Sequence, residues 1–237
     1  MKSVIRDFLL IFLGVVVFRL PGAILTARDR AVVLEEEMTD IFQPRYILSP
    51  EESKLAERVG FPPDILPFIT HVGIGELKQA YGTNQFDHSF PITGVEFAVR
   101  PEWSLSTMKT LRAVLEPRGY QVFRTERSRF DFHELTVVET TDPFAIVKLR
   151  HTTGDDLRLH ARILAKLYEW DSRYGIQVIG ADYDWVEIEF RTLPPDLSAF
   201  FREAAAFCPY PGRHYASTAE ETIADLQQSK MLYLKWE

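Results

Sequence analysis

Between Gly94 and Arg124 the hydrophobic period switches from two residues to about 3.6 and back, and few folds accommodate that order. Val95, Phe97 and Val99 alternate with Glu96 and Ala98, as in a strand with one buried face. A helix follows with Met108, Leu111, Val114 and Leu115 on one stripe. Ser104 or Ser106 is expected to cap it, and Pro117-Arg118-Gly119 to stop it. Tyr120–Arg124 then returns to a strand. A unit of this kind needs a sheet for its strands and a face on which its helix can lie.

The same plan recurs downstream without matching residues. Leu157–Trp170 reads as a helix with Leu159, Ile163, Leu167 and Trp170 on one side, followed by strands at Ile176–Ile179 and Tyr183–Phe190. Further helices are expected at Pro195–Phe207 and Ser217–Ser229, the second opened by a Ser217-x-x-Glu220 capping box, and Leu232–Trp236 closes as a strand. Upstream, a short helix runs from Ser49–Pro50 to Gly60. The expected fold is α+β: a mostly antiparallel sheet, built from strand–helix–strand units, with helices packed on one face. The 237 residues are read as three parts. These are an apolar segment at 1–27, a helical and loop region at 28–90, and an α+β domain at 91–237.

Residues Phe8–Phe18 form an unbroken apolar run behind Lys2 and Arg6. As a helix at about 1.5 Å per residue it spans roughly 17 Å, short of the ~30 Å hydrocarbon core. Anchor, signal and core element all remain open for it, so the expected compartment is the cytoplasm, with membrane anchoring through this segment as the alternative.

The charge balance excludes one class of partner. With 34 acidic and 27 basic residues the chain carries −7, whereas nucleic-acid affinity comes mostly from Lys and Arg on phosphates. The one cysteine, Cys208, excludes an internal disulfide and any zinc cluster of cysteines. Gly73-Ile-Gly75 is followed by Lys78 where a dinucleotide loop needs a third glycine, and neither a P-loop nor a nucleophile-elbow motif occurs. No cofactor and no metal site are expected.

Two polar groupings remain. Asp155, Asp156 and His160 lie near a helix start, where Asp156 and His160 could share a face for general-base work; the simpler reading is acids complementing the helix dipole. Asp184 is a further candidate catalytic acid. On its strand, Trp185, Glu187 and Glu189 point away from Val186 and Ile188, giving a solvated acidic face that could receive a basic protein partner.

Several short motifs resemble the bacterial domain-of-unknown-function family DUF 4253. They are Asp142-Pro143-Phe144, Thr152-Thr153-Gly154, Glu169-Trp170-Asp171 with Tyr174-Gly175, Ile179-Gly180-Ala181, Asp184-Trp185-Val186-Glu187, Phe207-Cys208-Pro209 and the closing Leu232–Glu237. The resemblance covers about the last hundred residues and implies a bacterial source, with no established reaction. The leading expectation is a non-catalytic protein-binding module, of which an immunity or toxin-neutralising protein is one form. An enzyme using the acidic and histidine residues, and a membrane-tethered module, are the alternatives.

Overall fold

In the computed structural model the described residues are 48–70, 72–84, 86, 88–127, 132–154, 156, 159–212 and 218–236. The Phe8–Phe18 run, Asp155 and Ser217 lie outside them. Helices α1 (Pro50–Val59) and α2 (Leu66–Thr70) precede a long hairpin, β1 (Ile74–Thr83) and β2 (Ser89–Val99). Helix α3 (Pro101–Leu115) leads to β3 (Tyr120–Arg127) and β4 (His133–Glu139). Helices α4 (Ala145–Leu149) and α5 (Leu159–Tyr174) follow, then β5 (Ile176–Ala181), β6 (Trp185–Phe190), α6 (Leu197–Phe207), β7 (Tyr210–Pro211), α7 (Ala219–Ser229) and β8 (Met231–Lys235).

The strands make one eight-stranded sheet in the order β1-β2-β4-β3-β5-β6-β8-β7. Every neighbouring pair is antiparallel except β3–β5. The α+β class and the mostly antiparallel sheet are therefore as the sequence implies. Local signals set most of the boundaries. Ser49 and Glu52 form a reciprocal capping box on α1, Pro50 supplies its first turn, and Gly60 ends it at φ +67°.

Two caps differ from expectation. Helix α3 starts three residues before Ser104, because Pro101 presets the helical φ at the first position and Arg100 caps it without a side-chain bond. Ser104 and Ser106 fall inside the helix and donate to the carbonyls of Pro101 and Trp103. The box on α7 is Thr218 with Glu221. It is shifted by one from the Ser217–Glu220 reading because two overlapping S/T-x-x-E frames occur there.

The helices cover both faces of the sheet, not one. Val122 and Val137 belong to a core under α1, α2 and α3, while their neighbours Phe123 and Val138 belong to a second core under α4, α5, α6 and α7. Adjacent strand residues point to opposite faces, so each core occupies its own side. The apolar residues at both parities of the central strands, such as Val137 and Val138, carry this two-sided burial.

The parallel seam between β3 and β5 registers through one pair, Arg124 with Gly180. Two buried arginines reinforce it. Arg112, reaching down from α3, donates from Nε to the Val122 carbonyl at 2.7 Å and from Nη2 to the Val178 carbonyl at 2.6 Å, one on each strand. Arg124 crosses the strand beyond and ion-pairs with Glu187 on β6. Gly180 lies between them in register, facing Arg124 on one side and Glu187 on the other. A Cβ at Gly180 would overlap the Arg124 carbonyl oxygen and lie 2.9 Å from Arg124 Cβ. Gly180→Ala is therefore expected to cost about 3 kcal/mol or more in denaturant unfolding. Gly60→Ala, whose Cβ would meet nothing within 4 Å, should cost only the left-handed backbone penalty of about 1–2 kcal/mol.

Candidate functional site

The first sequence-derived grouping becomes a backbone junction. Thr153 and Gly154 both donate their N–H groups to the Tyr183 carbonyl, at 2.8 and 3.0 Å. Gly154 adopts φ +60°, and a Cβ there would lie 2.8 Å from Trp236 Cβ. The Trp236 N–H in turn donates to the Asp184 carbonyl at 2.8 Å. The Thr152–Gly154 turn, the Asp184 turn and the C-terminal strand thus meet at one end of the sheet.

Their side chains do not converge there. His160 Nδ1 lies 3.1 Å from the Thr152 carbonyl and so acts as a donor, and its ring stacks on His151 at 4.2 Å between centroids. The Asp184 carboxylate pairs with Lys235 at 3.4 Å. The Asp156 carbonyl accepts from Thr153 Oγ1 and from the Leu159 N–H. Among the described residues no group of three His, Cys, Asp or Glu is placed to hold a metal ion. Burial and the neighbouring His160 hold His151 below the ordinary histidine range.

Trp185 and Glu187 of the second grouping are internal, which corrects the reading of a solvated acidic face for them, while Glu189 is partly exposed. Glu187 is only 1% exposed and is bound to Arg124. Trp185 is buried and stacks on Tyr233 at 5.6 Å. Glu189 pairs with Lys109 of α3 at 2.6 Å. The face that Trp185, Glu187 and Glu189 share lies toward α3 and the N-terminal core, so its acids meet cations from β3 and α3. Periodicity correctly separated this face from Val186 and Ile188 but could not reveal what covers it.

Arg124 extends the network to residues that sequence reasoning missed. Its Nη1 donates to Ser104 Oγ at 3.3 Å, and Ser104 Oγ lies 2.7 Å from His133 Nδ1. A serine beside an imidazole is the first element of a nucleophile–base pair. Here Ser104 is only 1% exposed and also bonds the Pro101 carbonyl, so a substrate has no path to it. The signal that could have found this network is the polar residue at the third place of the Tyr120, Val122, Arg124 alternation. Cys208 is likewise structural: its thiol donates to the Lys235 carbonyl at 3.1 Å, and burial pushes its pKa up to about 12.

Exposed aromatic side chains occur at several places among the described residues, Trp103 and Tyr168 among them, and three lie on the first hairpin. Pairing of β2 with β4 begins at Gly94, so Ser89, Phe90 and Pro91 pair with β1 alone and the hairpin extends past β4 as a two-stranded arm. Tyr81 and Phe90 are exposed on it, and Phe86 at its tip is 68% exposed. Cross-strand partners Tyr81–Pro91 and Gly82–Phe90 put the first two aromatics on opposite faces. Asn84 shapes the tip, its Oδ1 accepting from the N–H groups of Phe86 and His88 at 2.9 and 3.1 Å.

The internal ion pair makes a distinctive prediction. Arg124→Met and Glu187→Leu should each cost about 3–5 kcal/mol in denaturant unfolding, since each strands one buried charge, and the double variant should cost less than either. A second prediction concerns acid. His151 protonates more readily in the unfolded chain than in the folded one, so its contribution is present above about pH 6.5 and is lost as pH falls further. His151→Gln should therefore flatten the loss of stability between about pH 7 and pH 5 in the same assay.

No curated protein and no solved structure matches the chain. Residues 134–237 match the family model described as "Domain of unknown function (DUF4253)", a span that holds every motif of the resemblance from Asp142-Pro143-Phe144 to the closing strand. The C-terminal part of this protein, from within β4 onward, is thus similar to the DUF4253 family.

Proposed function

We propose that this chain is a non-catalytic protein-binding module whose partner docks on the β1–β2 arm. The observation that carries the reading is the arm itself: a shaped tip with an exposed phenylalanine, flanked by exposed aromatics on both faces. Aromatic residues are enriched where proteins meet, and a few such anchors dominate the binding energy. Two-stranded ribbons are marginal by themselves, so an arm that leaves its sheet gains from a partner that covers it.

The contrast with the candidate catalytic groups supports the same reading. Of the candidate catalytic residues, Asp184 pairs with Lys235 and His160 bonds the Thr152 carbonyl, and the buried Ser104–His133 pair lies with Arg124. Docking proceeds through side chains and not through an added strand, because two register irregularities and Lys78 interrupt β1. The toxin-neutralising form of this reading draws on the net charge of −7, which would steer a basic partner. The module is set in the cytoplasm. Among the described residues no helix is long and apolar enough to cross a membrane.

The test is affinity capture of the products of adjacent genes, at low salt, with the full chain and with Phe86→Ser as baits. The expected outcome is a partner retained by the full chain and weakened by about 2 kcal/mol or more on Phe86→Ser. Equal retention by both baits, or no partner for either, would overturn the proposal.

A further inference from the structure

We propose that the cleft at the base of the arm seats a lysine or arginine side chain of the partner. This rests on the protein-binding reading above. The cleft has a volume of about 370 Å³ and lies between β2, the end of β4 and α4. Ile92, Val138, Ala145 and Leu149 give it an apolar lining, and Glu139, Asp142 and Lys148 stand at its polar side.

The charges there do not cancel. Asp142 is fixed by four bonds: its N–H donates to Thr140 Oγ1 at 3.1 Å, its carbonyl accepts from the Ala145 N–H at 3.1 Å, its Oδ1 accepts from the Phe144 N–H at 2.9 Å, and its Oδ2 takes Lys148 Nζ at 2.6 Å. Lys148 also lies over the Tyr168 ring at 5.6 Å from the centroid, so its ammonium is held on both sides. Glu139 is exposed and makes no ion pair among the described residues. The cleft therefore presents an apolar channel beside one uncompensated carboxylate.

That combination selects a long aliphatic stem ending in a cation. An anion would face Glu139 with no free positive charge to meet it, and a purely apolar group would leave Glu139 to be desolvated without a partner. The arm and the cleft belong to one footprint. A Cβ at Gly82 would lie 2.9 Å from the Leu149 carbonyl oxygen, so the arm rests on the end of α4 that borders the cleft. One segment of a partner can then cover Phe90 and place a basic side chain beside Glu139.

The probe is Nα-acetyl-arginine amide, titrated into the full chain and followed by amide NMR shifts, with the isosteric, uncharged citrulline amide as control. The expected result is saturable shifts at Val138, Glu139 and Leu149 with arginine and none with citrulline. Glu139→Gln, an exposed change whose melting temperature should match the parent, is expected to weaken binding by about threefold, the scale of an exposed ion pair. Equal shifts from citrulline, shifts centred on Glu220 and Glu221 of α7, or no loss with Glu139→Gln would overturn the proposal. Because no partner is present, a negative titration removes the cleft while the Phe86→Ser comparison still decides the arm.

Discussion

A single salt bridge crossing a glycine joins the two halves of this sheet. Arg124 and Glu187 belong to strands that are not neighbours, and Gly180 on the strand between them lies in register with both. Buried pairs of this kind are poor sources of net stability, since desolvating two charges offsets most of their attraction. What such a pair does well is penalise alternatives. Sliding β5 by one residue against β3 would bring a side chain into the space above Gly180 and strand both charges. The Arg112 guanidinium adds a second constraint by bonding one carbonyl on each side of the seam, and burial lowers its pKa to about 10. The parallel contact, with only one registered pair, thus acquires a definite alignment from side chains.

The family span takes on a particular meaning in this topology. It begins at residue 134, within β4, and therefore omits β3. Yet β3 lies between β4 and β5 in the sheet. The matched residues are contiguous along the chain but divided in space by a strand from outside the match. Glu187 falls inside the span and its partner Arg124 outside it. Three of the family motifs meet at the junction where Gly154, Asp184 and Trp236 interlock through backbone contacts. Their short, glycine-containing form suits a place where chains approach closely.

How much of this was legible in the sequence depends on the range of the interaction. Element identities came from periodicity: α3, α5, β6 and β8 lie where their apolar spacing puts them, with ends altered by a residue or a few. Capping was legible in kind but not always in frame, as Thr218 shows. The two-sided cover was not legible, because alternation in one strand says which residues share a face and nothing about what packs on it. Glu187 and Glu189 illustrate the limit. An acidic residue every second position looks the same whether water or an arginine from another strand meets it. Ser104, Arg124 and His133 are far apart in sequence, so no local pattern announces their meeting. The arm was invisible for a related reason: it exists because β4 stops pairing at Gly94, a property of the neighbour.

The margins of the sheet carry a last implication. At one margin β7 is two residues long and includes Pro211, which has no N–H to offer. At the other, among the described residues, β1 is irregular at two points and bears Lys78. A broad sheet with good margins would polymerise in a crowded solution, copy adding to copy. This one has two poor margins, so crowding alone gives it no template to extend, while its exposed aromatic side chains stand clear of the backbone ladder.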